Sequence, residues 1–513
     1  MHPSAGRLMR FPHVQQQLSV LAHFSDGSVH DVTAISTYGT IHRSVATVDA
    51  NGLVTGVERG QAAITVRYLE HVQCVYFTVV RDVPGFAWAD PPEANYVDRL
   101  VDQKLRQLQY LPSGVCSDSV FLRRVYLDLT GLLPPLEEAR AFLADRAADK
   151  RARRIDQLLA STEFARFWGL QTADLMRVSQ QTLQTDRAEL FSQWIVESYR
   201  KNMPFDEFAK GILLASGDTH TVAPANYFEA VPKNQDIIET TAQIFMGSRI
   251  NCAKCHNHPF ENWTQNDYYR IGAVFSRVKV GHDTITLADS GEMRNPTSGE
   301  IMLPWGAESA PRGTVPADRR QVFVHWLTKP GNPFFARVAV NRIWAQLLGR
   351  GIVHPVDDFR SSNPPANAPL LDALANDFEA HGYDRKAIIR TICNSHTYQR
   401  STETNRFNES DQALFSHYLV RRLSAEQLSD AIGYATQALP TTSGVEADLT
   451  ERKAALEKRL AALPGEFAAW EAAIAKRLAA VPFWTGQWHS VGWFSAKRIL
   501  LAHETAFPPE KAL

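Results

Sequence analysis

The spacing of hydrophobic residues changes once along this chain, and that change sets the fold class. Residues 12–81 alternate between apolar and polar positions, as in QQLSVLAHF at 16–24. This alternation is typical of strands with one buried face. Farther along, apolar residues recur with helical spacing, as at Val97, Val101 and Leu105. The sequence therefore predicts a multidomain protein in which a small all-β sandwich precedes a mainly α-helical body.

Turn-forming residues support this division. Asn51-Gly52 separates two strand-like runs, which is a strong signal for a β-hairpin. Residues 82–95 are rich in proline and have no clear periodicity, so they are predicted to be a linker. We therefore expect residues 12–81 to form a β-sandwich that is separable from the helical part of the chain.

The helical part divides at a segment rich in glycine, proline and serine. This division predicts a first helical domain at 96–280, an irregular loop at 281–317, a second helical domain at 318–440 and a helical hairpin at 446–480. The helix at 335–348 is strongly amphipathic, so it must bury its apolar side against a neighbour. We therefore expect the two helical domains to share one body, with the 281–317 loop close to the functional site.

The motif with the clearest chemistry lies near the end of the first helical domain. Cys252, Cys255 and His256 form the sequence C-x-x-C-H, the attachment signature of a c-type haem. Two thiols three positions apart can reach the two vinyl groups on one side of a porphyrin. The histidine that follows can then bind the iron as an axial ligand. The motif thus predicts one covalently attached haem c.

A structural metal is the alternative interpretation of the same residues. Cys252, Cys255, His256 and His258 could together supply nitrogen and sulfur ligands to zinc. His258 itself has two interpretations. It could assist cofactor binding, by orienting His256 or contacting a haem propionate, or it could be a loop histidine bonded to the backbone.

A second axial ligand would have to come from elsewhere in the chain. Met302 is the first candidate, and His282 and Met293 are alternatives within the same loop. A methionine in an apolar run more often serves packing, so an iron with a single protein ligand is a further alternative.

Charge and hydropathy exclude several classes of function. The chain has 54 basic and 55 acidic residues, a net charge of −1, which gives no overall attraction to nucleic acid. No apolar run is long enough for a membrane-spanning segment. The first residues also lack the apolar core of a signal peptide. Because c-type haem is attached outside the cytoplasm, we expect a periplasmic or extracellular protein whose signal peptide is missing from this sequence.

Three long segments resemble one known family. They are TTAQIFMGSRINCAKCHNHPFENWTQNDYYRIGAVFSRV at 240–278, FLRRVYLDLTGLLPP at 121–135 and NPFFARVAVNRIWAQLLGRGIVHPVDDFRSSNPP at 332–365. All three are similar to the planctomycete cytochrome-like proteins, which are exported multidomain proteins built from domains of unknown function. In addition, SDGSVHDVT and VATVDANGLVTG resemble a bacterial immunoglobulin-like domain of group 2.

The resemblance also implies something about the end of the chain and about partners. Residues 485–513 look like the start of a β domain found in related proteins, so we expect the chain to be truncated at both ends. Family members often accompany systems that degrade carbohydrates and sulfate esters. This context implies polysaccharide or cell-surface components as partners, beside an unidentified redox partner.

Three functions remain open from the sequence. The first is an exported haem c protein that transfers electrons, which is favoured over a catalyst. The second is a haem-dependent oxidoreductase with an open iron face. The third is a non-enzymatic surface or carbohydrate-associated binding protein that holds a structural metal at C-x-x-C-H.

Overall fold

The structure is a computed structural model, and it describes most of the chain up to residue 436. The described residues are 1, 3, 6–231, 234–259, 261–309, 316–436 and scattered positions between 454 and 476. The chain forms two compact units, Met1–Ala431 and Ile432–Leu513. The described positions of the second unit beyond residue 436 are helical. Much of the predicted hairpin at 446–480, and all of the predicted β domain at 485–513, lie outside the described residues.

The N-terminal region is all β, as the alternating pattern predicts. Its strands are β1 (Arg7–Arg10), β2 (Gln15–Gln17), β3 (Leu21–His23), β4 (Val29–Asp31), β5 (Thr37–Gly39), β6 (Ala46–Val48), β7 (Leu53–Gly56), β8 (Gly60–Tyr68) and β9 (His71–Val80). They form sheets in the orders β1-β9-β8-β5 and β2-β7-β6, with β3 paired to β4. Between the strands lies a core that includes Val54, Ile64, Phe77 and Val79.

The predicted hairpin at Asn51-Gly52 is confirmed. β6 and β7 pair in antiparallel register, with Val48 opposite Val54. Gly52 has a φ of +79°, a conformation that suits glycine. The Asp49 carboxylate accepts hydrogen bonds from the backbone N–H groups of Asn51 (2.9 Å) and Leu53 (2.8 Å), which fixes the turn.

The rest of the first unit is mainly helical. In its first half the helices are α1 (Tyr96–Gln107), α2 (Asp118–Thr130), α3 (Leu136–Ala144), α4 (Lys150–Ala160), α5 (Thr162–Leu175), α6 (Gln180–Leu183), α7 (Thr185–Arg200), α8 (Phe205–Leu213), α9 (Asn226–Ala230), α10 (Asn234–Met246) and α11 (Gln265–Phe275). Those that follow are α12 (Arg320–Thr328), α13 (Phe335–Leu348), α14 (Ala368–Ala380), α15 (Arg385–Asn394), α16 (His396–Gln399) and α17 (Ala425–Thr436). None of the described helices is both long enough and apolar enough to cross a bilayer.

The two predicted helical domains share a single hydrophobic core, as expected from the amphipathic helix α13. Phe205 of α8 stacks on Phe335 of α13, with ring centroids 5.0 Å apart. Phe245 of α10 and Phe378 of α14 lie within 6.4 Å of this pair. Because these rings come from both sides of the 281–317 segment, neither domain would keep its core intact alone.

The N-terminal sheet packs directly on this helical body. The sequence led us to expect a separable β-sandwich and did not indicate this contact. The Arg59 guanidinium donates to the Gln109 carbonyl oxygen at 2.6 Å. On the other side, the Tyr76 hydroxyl donates to the Ser361 carbonyl oxygen at 3.1 Å. Val80, at the end of β9, is part of the helical core. The sheet and the helical body therefore share an interface in addition to the connecting segment.

The segment after α11 is irregular for most of its length, as predicted. It begins with β11 (Val278–Val280) and β12 (Thr284–Leu287), and β12 also pairs with β10 (Gly217–Asp218). Beyond this small sheet, Asn295 donates its side-chain amide to the Asn266 side-chain oxygen at 2.6 Å. That bond ties the segment to α11, the helix that follows the C-x-x-C-H motif.

Candidate cofactor site

The C-x-x-C-H motif begins on a short 3₁₀ turn, Asn251–Lys254, just after α10, and Cys255 and His256 follow this turn directly. Ile250 and Ala253 are buried, whereas Cys252 and Cys255 are exposed and free of disulfides. The turn is thus fixed by its apolar residues, and both thiols face outward from the same turn. This is the arrangement that attachment to one ring requires.

A close backbone approach sets the direction in which the chain leaves α10. Gly247 has a φ of +60°, and a Cβ at this position would lie 2.6 Å from a ring carbon of Phe359. The Gly247 carbonyl oxygen also accepts a hydrogen bond from the Phe359 backbone N–H at 3.0 Å. Glycine is therefore needed here, and the loop that contains Phe359 helps to position the motif.

The carbonyl groups of the motif turn are held by α11. The Gln265 side-chain amide donates to the carbonyl oxygens of Lys254 and Cys255, each at 3.1 Å. The Tyr269 hydroxyl donates to the same Lys254 oxygen at 3.1 Å. Gln265 is in place because Thr264 and Asp267, the third helical residue, form a reciprocal capping box.

His256 is exposed, and its ring is oriented by the backbone. Its Nδ1 lies 2.7 Å from the Asn257 carbonyl oxygen. A carbonyl oxygen can only accept, so Nδ1 is the donor, and in the neutral ring Nε2 is the nitrogen that carries the lone pair. Histidines that bind metals commonly donate their other ring N–H in this way. The imidazole is therefore in the tautomer that could bind an iron through Nε2.

His258 is half-buried beside this turn. Its backbone N–H donates to the Trp263 carbonyl oxygen at 2.8 Å. Burial lowers the pKa of His258, and the nearby Arg360 and His256 lower it further. A neutral imidazole is thus favoured at neutral pH. Its electrostatic coupling to His256 places His258 at the motif, so both interpretations of its role stay open.

Glu261 is a site residue that the sequence did not indicate. It lies in the loop between the motif and α11, and burial raises its pKa to about 7. The Ser361 hydroxyl donates to its carboxyl oxygen at 3.2 Å, and the same hydroxyl lies 3.5 Å from the Cys74 sulfur. A carboxyl group that changes charge near pH 7 is therefore held between the sheet, the motif loop and a distant loop.

A polar cavity of about 490 Å³ opens beside the motif. Its walls include Asn257 and Trp263 from the motif loop, Asn295 from the irregular segment and Glu70 from the turn between β8 and β9. The Asn257 side-chain amide donates to the Glu70 carboxylate at 3.1 Å. The motif loop, the irregular 281–317 segment and the N-terminal sheet therefore all contribute to this cavity. These contacts agree with the expectation that the 281–317 segment lies near the motif.

The candidate second ligands lie in different surroundings. The Met302 side chain is buried, and its backbone N–H donates to the Met293 carbonyl oxygen at 2.9 Å. Met293 itself packs against Gly272 of α11. His282 is exposed, and its Nδ1 lies 2.6 Å from the Asp283 carboxylate. These contacts do not test whether any of the three residues is a ligand, so that assignment stays a prediction.

The donor set of the motif is compatible with the attachment of a c-type haem. Two exposed free thiols on one turn, followed by an imidazole with Nε2 unprotonated, form the donor set that haem attachment uses. Within the described ranges, no three His, Cys, Asp or Glu side chains converge to form a metal site. A structural zinc site generally needs four such ligands.

Three family models match the chain. PSCyt2, a protein of unknown function (DUF1549), matches residues 96–280. PSD1, a protein of unknown function (DUF1553), matches residues 319–476, and Big_2, a bacterial Ig-like domain of group 2, matches residues 12–68. No curated protein matches the chain. These matches confirm the resemblances seen in the sequence, including that of the N-terminal region to an Ig-like domain.

Proposed function

Because this chain carries a PSCyt2 and a PSD1 domain, we propose that it is an exported c-type haem protein that transfers electrons. Cys252 and Cys255 would each form a thioether with one vinyl group of a single haem. His256 would bind the iron through Nε2. When bound, haem supplies one-electron exchange at its iron.

The geometry of His256 gives the strongest support. Its Nδ1–H donates to the Asn257 carbonyl oxygen at 2.7 Å, which fixes the ring and the tautomer before any ligand binds. The turn that carries both thiols is held by Gln265 and Tyr269 through bonds of 3.1 Å. These donors are therefore largely in place before a cofactor binds, so arranging them costs little conformational entropy.

The surroundings of the motif suit a group that is partly exposed. Cys252, Cys255 and His256 all lie at the surface, and the adjoining cavity has mixed polar and aromatic walls. An electron carrier needs one edge of its cofactor near the surface, because electron transfer falls off with distance from the partner. The proposal includes a redox partner and a periplasmic or extracellular location. It also includes an association with polysaccharide or cell-surface components.

Covalent haem is the direct test. The full chain would be matured in a host that exports it and attaches c-type haem, then denatured, separated on a gel and stained for haem peroxidase activity. We expect one haem per chain. Cys252→Ser and Cys255→Ser should each weaken or abolish the stain.

Cys74→Ser is the matched control, because Cys74 is also a free cysteine but lies in β9, outside the motif. It should keep full staining. A denatured chain that does not stain for haem, together with one zinc ion per molecule in the native chain, would contradict the proposal and favour the structural-metal alternative.

Glu261 is the observation that favours a second candidate, a haem-dependent oxidoreductase. Its carboxyl group, with a pKa near 7, lines the cavity beside the motif and could hold or release a proton there. Peroxidase turnover by the native, haem-loaded chain separates the two candidates. Turnover that depends on Glu261 and falls in Glu261→Gln would favour the enzyme over the carrier.

A further inference from the structure

A second cavity, of about 280 Å³, lies inside the helical body. Its wall is mostly apolar and aromatic, with Trp168 from α5, Tyr199 from α7, Ile343 from α13 and Phe378 from α14. None of the residues that line it belongs to the Cys252–His256 turn. It is thus separate from the proposed haem site, and its size approaches that of sites for small ligands.

Arg385, the first residue of α15, brings a buried positive charge to this cavity. Its side chain lines the wall, and the residue is only 3% exposed. One terminal nitrogen, Nη2, donates to the Ser198 and Met203 carbonyl oxygens at 3.3 and 3.2 Å. The other terminal nitrogen and Nε are buried and have no hydrogen-bond partner. The guanidinium also stacks on the Tyr199 ring, 3.8 Å from its centroid.

Arg342 of α13 brings a second guanidinium to the same wall. Its Nη2 donates to the Gln243 carbonyl oxygen at 2.8 Å, while its Nε is buried and unpartnered. The Asp357 carboxylate interacts electrostatically with Arg342, but it is already bonded to Arg249 at 2.7 Å. Burial lowers the pKa of Arg342, which reflects the cost of keeping this charge away from water.

The described lining of this cavity provides no carboxylate to pair with these two guanidinium groups. Among the described residues that line it, none is Asp or Glu. Buried guanidinium N–H groups are normally paired, since an unpaired charge in a region of low polarity is costly. Carboxylates suit arginine best, because their two oxygens match its planar set of donors. The buried indole N–H of Trp168 is also unpartnered and offers a further donor.

We propose that this cavity binds a small monocarboxylate with a bulky apolar body, such as an aromatic acid. The carboxylate would pair with Arg385 and Arg342, and the apolar body would contact the aromatic wall. The wall combines helices from the PSCyt2 and PSD1 regions, so the site would need both of them.

Calorimetric titration of the full chain tests the proposal, with benzoate as the probe. Benzamide has the same shape without the charge, and acetate has the charge without the apolar body. We expect benzoate to bind about tenfold or more tightly than benzamide, as a charge-assisted hydrogen bond allows, and about tenfold or more tightly than acetate, because its ring buries more apolar surface. Arg342→Gln, which leaves the bonds of Arg385 to Ser198 and Met203 in place, should reduce benzoate affinity about tenfold.

Arg385→Gln should have at least as large an effect, but it could also disturb folding. Arg320→Gln is the control for a buried arginine elsewhere, since Arg320 is 1% exposed and fully engaged with Ala215 and Asp318. It should leave benzoate affinity unchanged. The proposal is overturned if benzoate binds no better than benzamide, if it does not bind at millimolar concentration, or if Arg342→Gln and Arg320→Gln behave alike.

Discussion

The Tyr76 hydroxyl donates to the Ser361 carbonyl oxygen at 3.1 Å and so joins the N-terminal sheet to the loop behind the C-x-x-C-H motif. The hydroxyl of the same Ser361 bonds to the carboxyl of Glu261, in the motif loop. A single loop residue therefore contacts both the sheet and the candidate site. The Ig-like region thus acts as part of the wall that supports the motif.

Removing the Tyr76 hydroxyl should loosen this interface. In Tyr76→Phe we expect faster amide hydrogen exchange around Ser361 and a loss of about 1 kcal/mol in the free energy of unfolding, because one hydrogen bond is lost. Tyr38→Phe is the matched control, since the Tyr38 hydroxyl bonds to the Thr33 carbonyl oxygen within the N-terminal region. Equal exchange near Ser361 in the two variants would show that the sheet does not support the loop.

The raised pKa of Glu261 should make stability depend on pH in a specific window. Its pKa in the folded chain is about 7, against 4.5 for an ordinary glutamate, so folding favours the protonated form. The stability from this group is complete below pH 4.5 and is lost as the pH rises through 7. Glu261→Gln keeps an acceptor for Ser361 but cannot ionise, so it should remove that part of the decline.

The measurement is the urea midpoint of both proteins from pH 4.5 to 7.5. The urea midpoint of Glu261→Gln minus that of the original chain should increase as the pH rises. Glu137→Gln, on the exposed surface of α3, should give a constant difference. A constant difference for Glu261→Gln as well would mean that the carboxyl group does not titrate in this window.

Gln265 should stabilise the turn that carries the motif, although it lies outside the motif in the sequence. Gln265→Ala removes both bonds to the carbonyl oxygens of the turn. We expect the free energy of unfolding to fall by about 1–3 kcal/mol, and the fraction of chains with covalent haem to fall with it. Gln235→Ala is the control, because the Gln235 side-chain oxygen accepts a hydrogen bond from the Lys254 side-chain nitrogen at 2.7 Å, at the surface, rather than binding the backbone of the turn. Similar losses in both variants would argue against a role for Gln265 in holding the turn.

Local signals in the sequence predicted the parts of this fold that depend on neighbouring residues. The change of periodicity and the Asn51-Gly52 turn both correspond to observed elements. So does the motif itself, because the spacing of Cys252, Cys255 and His256 is enough to place them on one turn. Each of these features involves contacts a few residues apart, where propensity and hydrogen bonding act directly.

The features that the sequence missed depend on residues that are far apart in the chain. Glu261 looks like an ordinary surface glutamate until Ser361 and Cys74 are folded against it. The contact of Tyr76 with Ser361 spans 285 positions and leaves no periodic trace. Arg342 and Arg385 each belong to an amphipathic helix and read as solvated charges. Only the packing of several helices reveals that they face one cavity.

Gly131 tests how tightly the helical core is packed. It ends α2 with a φ of +75°, and a Cβ there would lie 2.6 Å from a ring carbon of the buried Phe167. Gly131→Ala should therefore cost about 1–2 kcal/mol for the backbone conformation and about 1–3 kcal/mol more for the displaced ring. Gly382→Ala is a close control, since Gly382 has a φ of +62° but open space around it. In denaturant titrations we expect Gly131→Ala to lose more stability than Gly382→Ala, the difference being the cost of the contact with Phe167. Equal losses would show that the ring moves aside freely and that the core at the end of α2 is not close-packed.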